Sequence, residues 1–348
     1  MPETRILDET EGELIPFRYA ITSYGADYPV DSLVQRLDRE VLFVPEFQRK
    51  YVWTLKQASR FIESLLLGLP VPGVFFDKES DSGKLLIIDG QQRLRTLQYF
   101  YNGLFKGKEF FLKDVQPQYE GRKFKTLEKE DQIRLSDSVI HATIIRQDEP
   151  SDEQSSVYHI FERLNTGGTF LQPQEIRACI FHGPFAELLE KLNENEDWRE
   201  IYGTPSKRLK DQELILRFLA LFFFASEYSR PMNEYLNKFM GRNSKLNKID
   251  KDHITAAFAP TVALIRKILG SKAFRPERAL NAAVYDSVMV GLAKRLAHGP
   301  LKKPQNFAGA YAHLMKDKEY LSATKTGTAD EPNVKLRIEK ATRAFAGL

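Results

Sequence analysis

After Thr54 the apolar positions fall at helical spacing. Phe61, Ile62, Leu65, Leu66 and Leu69 share one face, Thr54 is placed to cap the start, and Gly68 and Pro70 close the run. Short apolar runs at Val41–Val44, Gly73–Phe76 and Leu85–Ile88 predict strands, the last two joined by a turn at Ser80–Gly83. Upstream, the Tyr24–Pro29 stretch predicts a turn before a short amphipathic helix near Asp31–Arg39. Leu94, Leu97 and Tyr101 predict a helix that ends near Asn102-Gly103. Further strands are expected at Glu109–Leu112 and Val139–Arg146, with helices at Glu128–Ser136 and Asp152–Leu164.

Beyond Phe170 the strand signals fade. Helical periods dominate at Pro173–Phe181, Phe185–Leu192, Asp211–Ala225, Asp252–Leu269, Glu277–Ala297, Phe307–Met315 and Asn333–Phe345, while Met240–Lys251 is basic, Asn-rich and aperiodic, as a loop would be. The fold class expected is therefore α+β: a mixed α/β domain over residues 1–165, then an all-α domain over 166–348.

Composition changes this picture little. The 348 residues are 42% hydrophobic and 28% charged, an ordinary globular balance. Cys179 is the single cysteine, which excludes an intramolecular disulfide, and its apolar helical context reads as a buried small residue. With no basic-then-apolar leader at the start, a cytoplasmic location is expected. The most apolar run, Leu214–Ala225, falls short of the roughly 20 residues of a membrane helix and reads as a core helix, so no membrane partner is expected. Charge is uneven: residues 271–348 hold 14 Lys or Arg against 7 Asp or Glu, and residues 1–270 hold 37 against 40. The positive excess is C-terminal, where a polyanion could be met.

Three segments carry candidate chemistry. In Ile87-Ile88-Asp89-Gly90-Gln91-Gln92-Arg93-Leu94-Arg95-Thr96 a strand runs through a glycine into a helix start, where free backbone N–H groups suit a phosphate. Gly90 would let a ligand approach the backbone, Arg93 would grip phosphate oxygens in a two-pronged contact, and Gln91 and Gln92 would bond a sugar, base or water. Asp89 is the odd partner for a phosphate. It would cap the helix, pair with an arginine, bind a metal such as Mg²⁺ or act as a base; as a plain N-cap beside a surface Arg93 it would need no ligand at all.

The second segment, Val44–Trp53, packs Gln48, Arg49, Tyr51 and Trp53 into six positions, and arginine interleaved with aromatics suits phosphate contact and base stacking. The alternative is a turn whose aromatics complete the core beneath the next helix. The third, Phe161–Gly168, places Asn165, Thr166, Gly167 and Gly168 where a helix ends, either as an anion-binding backbone nest or as a tight turn. Gln174, Glu175 and Arg177 follow and would line the same cleft if that loop faced the other segments. In a fourth group, Arg208, Asp211, Glu213 and Arg217, the spacing makes local ion pairing a sufficient explanation. The chain has no Gly-x-x-x-x-Gly-Lys-Ser/Thr loop, no His-Glu-x-x-His helix, no paired cysteines and no recognisable His-Asn-His signature.

Taken in order, Val-Pro-Glu-Phe-Gln-Arg-Lys-Tyr-Val-Trp (44–53), Ile-Asp-Gly-Gln-Gln-Arg (88–93) and Phe-Glu-Arg-Leu-Asn-Thr-Gly-Gly (161–168) resemble the three signatures of the GmrSD-type restriction system N-terminal family, over about residues 30–225. The Gly-Gln-Gln-Arg core is also similar to the box of ParB and sulfiredoxin-like folds, whose glycine and arginine hold nucleotide phosphates. The resemblance implies a ParB-like domain in which Asp89, Gly90, Gln91, Gln92 and Arg93 form the nucleotide site, Gln48 and Arg49 face it, and residues 165–168 close it. It further implies catalytic roles for Asp89, Arg93 and Gln48, with Arg49, Tyr51, Trp53, Arg95 and Asn165–Gly168 binding nucleotide or DNA.

Many relatives carry a C-terminal His-Asn-His-type nuclease domain, and this sequence lacks that signature. The function expected is therefore an NTP-binding and NTP-hydrolysing component of modification-dependent restriction, using Mg²⁺ with the NTP, recognising modified phage DNA and assisted by a separate nuclease subunit. Two other readings stay open. One is direct chemistry on modified DNA, by a base-excising glycosylase or nuclease that uses Asp89 or Glu46 as base and Gln48, Gln91 and Tyr51 as readers. The other is a non-catalytic DNA- or partner-binding module with a nucleotide switch.

Overall fold

The computed structural model describes residues 6–7, 20–44, 51–79, 82–149, 155–164 and 171–348, which divide between two units. Described residues within 20–149 and 156–164 make an α/β unit; residues 6–7, 155 and 171–348 make a helical one. The sheet therefore lies in the N-terminal region and the C-terminal part is mostly helical, as the periodicities require. One feature departs from a division at residue 165. The first strand, β1 (Ile6–Leu7), pairs in parallel with Leu280–Asn281, so it belongs with the helices.

The α/β unit follows as β2 (Ala20–Pro29), α1 (Val30–Asp38), β3 (Leu42–Phe43), α2 (Leu55–Leu66), β4 (Val74–Lys78), β5 (Leu85–Asp89), α3 (Gln91–Asn102), the small hairpin β6 (Leu104–Phe105) and β7 (Lys108–Glu109), α4 (Lys129–Asp137), β8 (Val139–Glu149) and α5 (Ser155–Leu164). Five strands form one mixed sheet in the order β2-β8-β4-β5-β3. β8 runs antiparallel to β2 and parallel to β4, while β5 runs antiparallel to β4 and parallel to β3. Val74, Phe76, Ile87, Ile140 and Ile144 from the strands meet Val30, Leu33, Ile62, Leu66, Leu94, Leu97 and Phe100 from the helices in one buried core. Thr54 caps α2 as its position predicts: its hydroxyl accepts from Gln57 N at 3.3 Å, and Gln57 Oε1 accepts from Thr54 N at 2.9 Å.

Two expectations in this unit change. Tyr24–Pro29 is not a turn but the end of β2, paired with β8 from Tyr24↔Ile144 to Pro29↔Val139. β2 lies at the sheet edge and leaves most of Thr22–Pro29 exposed, so no run of apolar residues announces it. Glu109–Leu112 is strand only at its first residue; Phe110 and Leu112 are apolar because they enter the core from irregular chain.

In the helical unit α6 (Pro173–Ile180), α7 (Pro184–Asn193), α8 (Glu196–Tyr202), α9 (Lys210–Phe224), α10 (Met232–Asn243), α11 (Lys251–Leu269), β9 (Leu280–Asn281), α12 (Ala282–Leu296), α13 (Asn306–Leu314), α14 (Lys318–Ala323) and α15 (Glu331–Phe345) follow one another. Helices α8, α10 and α14 were not expected, and α10 takes up Met240–Asn243, the first residues of the expected loop. α12 is buried on every face from Ala282 to Ala293, against α9, α11 and α15. It approaches α15 so closely that a Cβ on Gly291 would lie 2.8 Å from the carbonyl carbon of Ala341. The Leu214–Ala225 run forms a core helix, as expected. Among the described residues, however, Lys251–Lys272 is the stretch that by length and composition is apolar enough to cross a membrane; it packs Ile254, Phe258, Val262 and Ile265 inward against neighbouring helices of this unit.

The fourth polar group is also rearranged. Arg208, Asp211, Glu213 and Arg217 bond to distant positions: Arg208 to Glu175 at 2.8 Å, Asp211 to Arg199 at 2.9 Å, Glu213 to Arg177 at 2.8 Å and Arg217 to Asp286 at 2.8 Å. Burial explains the choice, because a charge removed from water needs partners on several sides and one helix face cannot supply them. Arg177, fully buried, meets Asn237, Gln174 and Asn233 as well as Glu213. Gln174, Glu175 and Arg177 are thus held in polar contacts of the helical unit, and Cys179 is buried as expected.

Candidate phosphate-binding site

The strand-to-helix turn at Asp89–Arg93 is built around one backbone conformation. Gly90 sits at φ +97°, a left-handed geometry that side chains resist, and a Cβ there would lie 2.4 Å from Val74 Cγ1. The glycine is therefore required by the turn and by its contact with β4, rather than by open space for a ligand above it. Among the described residues no side chain caps the start of α3, and Leu94 N bonds back to Gly90 O at 2.9 Å.

Asp89 does not cap that helix. Its Oδ2 accepts from Arg93 at 2.7 Å, the arginine-pairing alternative, and the same guanidinium nitrogen donates to Gly73 O at 2.9 Å. Arg93 thereby ties the end of β5 to the chain just before β4. One nitrogen carries both bonds, and Arg93 Nε is buried with no hydrogen-bond partner among the described residues. The pair still reaches solvent, with side-chain exposures of 16% for Arg93 and 38% for Asp89.

The end of the second segment lies against the next turn of α3. Thr96 Oγ1 donates to Gln92 O at 2.7 Å, so the 2.7 Å contact with Tyr51 has the tyrosine hydroxyl as donor. Gln92 Oε1 accepts from Val52 N at 2.9 Å and Trp53 N at 3.4 Å, and Lys106 Nζ donates to Trp53 O at 3.0 Å. Gln92 Oε1 is therefore occupied in holding chain 52–53. Tyr51 is buried edge-on against Tyr99 and Phe105, and Trp53 packs edge-on against Phe61, so both complete the core beneath the helix. Burial raises the Tyr51 hydroxyl pKa to about 12.

The expected site is thus assembled in part. Asp89, Gly90, Gln92 and Arg93 come together with Tyr51 and Trp53, and Gln91 is half-buried in the first turn. Arg95 lies two residues past Arg93, roughly 200° around the helix, and does not share its face. Gln48, Arg49, Glu46 and Asn165–Gly168 lie outside the described residues. Gly73, whose carbonyl fixes Arg93, and Thr96, which anchors Tyr51, were missed. A backbone carbonyl leaves no mark in sequence, whereas Thr96 stands one helical turn after Gln92 and could have been read. Among the described residues no group of three or more His, Cys, Asp or Glu could hold a metal ion.

Residues 30–182 match the family model of the GmrSD restriction endonuclease, N-terminal domain. This stretch is a GmrSD N-terminal domain. The GmrSD match takes in the turn at Asp89–Arg93 and the Tyr51–Trp53 segment, and it ends past α6. It covers 153 of 348 residues, counted from 30 through 182, and leaves most of the helical unit outside the GmrSD boundaries. The domain type is that of a restriction-system component. Comparison with curated proteins gives no match.

Proposed function

We propose that the GmrSD domain of this chain binds the phosphates of a nucleoside triphosphate at the start of α3 and, by hydrolysing it, drives a cytoplasmic restriction response to modified phage DNA. The observation that carries this reading is the state of Arg93: aimed by Asp89 and the Gly73 carbonyl, it keeps an Nε–H that has no hydrogen-bond partner among the described residues, beside a helix start with no side-chain cap among them. A guanidinium fixed in advance at the positive end of a helix is what an oxyanion needs, and little ordering cost remains to be met on binding. Asp89 is a positioning residue for Arg93, and its remaining exposure lets it accept a hydrogen bond from water near the phosphate. A Mg²⁺ ion would arrive with the triphosphate, which supplies most of its oxygen ligands, and Asp89 is the carboxylate at hand. DNA strand scission would fall to a nuclease subunit that responds to this domain.

A second reading is a nucleotide switch without turnover. It is favoured by the same ion pair, since an Asp89 committed to Arg93 is a poor general base. Direct chemistry on a flipped base is disfavoured, because Tyr51 is buried and offers no face for stacking.

The test uses the full chain, the Arg93→Ala variant and modified phage DNA. The hydrolysis reading expects DNA-stimulated phosphate release that Arg93→Ala abolishes while the melting temperature holds. Nucleotide binding without release selects the switch. Binding and release both unchanged in Arg93→Ala would remove α3 from the reaction.

A further inference from the structure

Residues 287–316 run from within α12 to just past α13 and hold Lys294, Arg295, Lys302, Lys303 and Lys316 but no Asp or Glu. The chain turns after α12, where Gly299 N bonds to Leu296 O at 2.9 Å, and turns again into α13, where Asn306 N bonds to Lys303 O at 3.0 Å. α13 is fixed by its inner side. Phe307 and Leu314 are buried, and Phe307 meets Phe345 of α15 with 5.1 Å between ring centres. Its outer side, at helical spacing, is Gln305, Gly309 and His313, all exposed, with Lys302 and Lys303 at one end and Lys316 at the other. That side is open, since a Cβ on Gly309 would meet nothing within 4 Å.

The cations at the two ends of α13 are not answered by the protein. Lys302, Lys303 and Lys316 are exposed, and none of them forms an ion pair among the described residues. Arg295 differs, because its guanidinium is bound to the carbonyls of Leu348 at 2.9 Å and Gly299 at 3.0 Å. Several surface cations of the α/β unit differ too: Lys123 pairs with Glu109 at 2.8 Å and Arg134 with Glu130 at 3.0 Å. The first acids beyond the run do not restore the balance. Asp317 and Glu319 are both held by Lys340, at 2.7 and 2.6 Å. One sign of charge therefore dominates this face, and such a face draws a polyanion.

Spacing narrows the choice of polyanion. The nine residues of α13 span about 13 Å, close to the roughly 12 Å width of the major groove of B-form DNA. Cations at the two ends of such a helix are set apart as the phosphates on the two rims of that groove are. We infer that the outer side of α13 docks on the backbone of double-stranded DNA, with Lys302 and Lys303 against phosphates of one strand and Lys316 against the other. Contacts of this kind position a duplex and read no sequence. The surface lies outside the GmrSD match. The choice of DNA as the polyanion rests partly on the function proposed above, whereas the surface itself owes nothing to the turn at Arg93.

Fluorescence anisotropy of a labelled, unmodified DNA duplex titrated with the full chain, in the absence of nucleotide, tests the assignment. Wild type is expected to bind and to weaken as salt rises. Lys302→Glu combined with Lys303→Glu should weaken binding about tenfold or more and flatten the logarithmic salt slope by about two, with Lys316→Glu alone giving a smaller loss. All three positions are exposed, so the melting temperature should hold. Lys125→Glu combined with Lys129→Glu makes the same change in net charge beside Glu128, Glu130 and Asp131, and should leave binding nearly unchanged. Four results would overturn the inference: no binding by wild type, equal weakening by the Lys125 and Lys129 pair, polyglutamate bound as tightly as the duplex, or binding lost in Arg93→Ala but kept without Lys302 and Lys303. Because the titration contains no nucleotide, its failure leaves the α3 reading standing, and absence of NTP hydrolysis leaves this surface standing.

Discussion

Arg93 and the pair Arg217 and Arg337 meet carboxylates in opposite settings. In the α/β unit Arg93 and Asp89 form an ion pair that solvent reaches, across a turn shaped by a left-handed glycine. In the helical unit Asp286, fully buried, is shared by Arg217 at 2.8 Å and Arg337 at 3.3 Å, with side-chain exposures of 5% and 0%. Burial pulls the Arg337 pKa down, and the Asp286 carboxylate beside it acts in the opposite sense. Among the described residues neither Arg93 Nε nor Arg337 Nε has a hydrogen-bond partner, yet of the two only Arg93 belongs to a pair that a solute can meet. Exposure, rather than the pairing itself, separates an arginine that holds a fold together from one able to hold a ligand.

The contrast can be broken most directly at Asp286. Asp286→Ala strands two buried guanidinium groups and is expected to destabilise the helical unit by about 3–5 kcal/mol, read by chemical denaturation. A loss comparable to that of a surface pair would mean water reaches the cluster. Tyr51 supplies an intermediate case. Tyr51→Phe removes one buried hydrogen bond and should cost about 1 kcal/mol. The same group has a pH signature, because its folded pKa of about 12 stands above the ordinary 10.0. The neutral phenol is favoured in the fold, so its stabilisation is complete below pH 10 and fades as pH rises through that window towards 12. Denaturation of wild type and Tyr51→Phe should converge over that window, and parallel curves would contradict the assignment. The smallest effect is expected at Asp89: Asp89→Asn should cost under about 1 kcal/mol of stability while it weakens phosphate binding through a less firmly aimed Arg93. Destabilisation as large as that of Asp286→Ala would make the turn a purely structural element.

Much of this was legible in sequence where one signal served one purpose. The helical spacing after Thr54, the strand-glycine-helix order at Leu85–Arg93 and the stop at Gly103 each translate directly into local geometry. β2 was hidden because an edge strand exposed along most of its length needs no apolar alternation. The partners of Arg208, Asp211, Glu213 and Arg217 were hidden for a different reason: local spacing offers a pairing that is adequate in water, and only tertiary burial makes the distant ones preferable. At the candidate site the residues gathered around α3 were readable as types, but the roles of Gln92 and Tyr51 were not. An amide that holds a neighbouring backbone and an amide that reads a base are identical in one dimension.

The close seat of Gly291 against Ala341 bears on how the basic C-terminal stretch can be studied. Truncation anywhere ahead of α15 would strip the cover from a helix whose every face is sequestered, and the remnant would fail through collapse of the domain, whatever that stretch contacts. Its electrostatics are better probed one lysine at a time, by charge reversal at solvent-facing positions such as Lys302 and Lys325, with the architecture left whole.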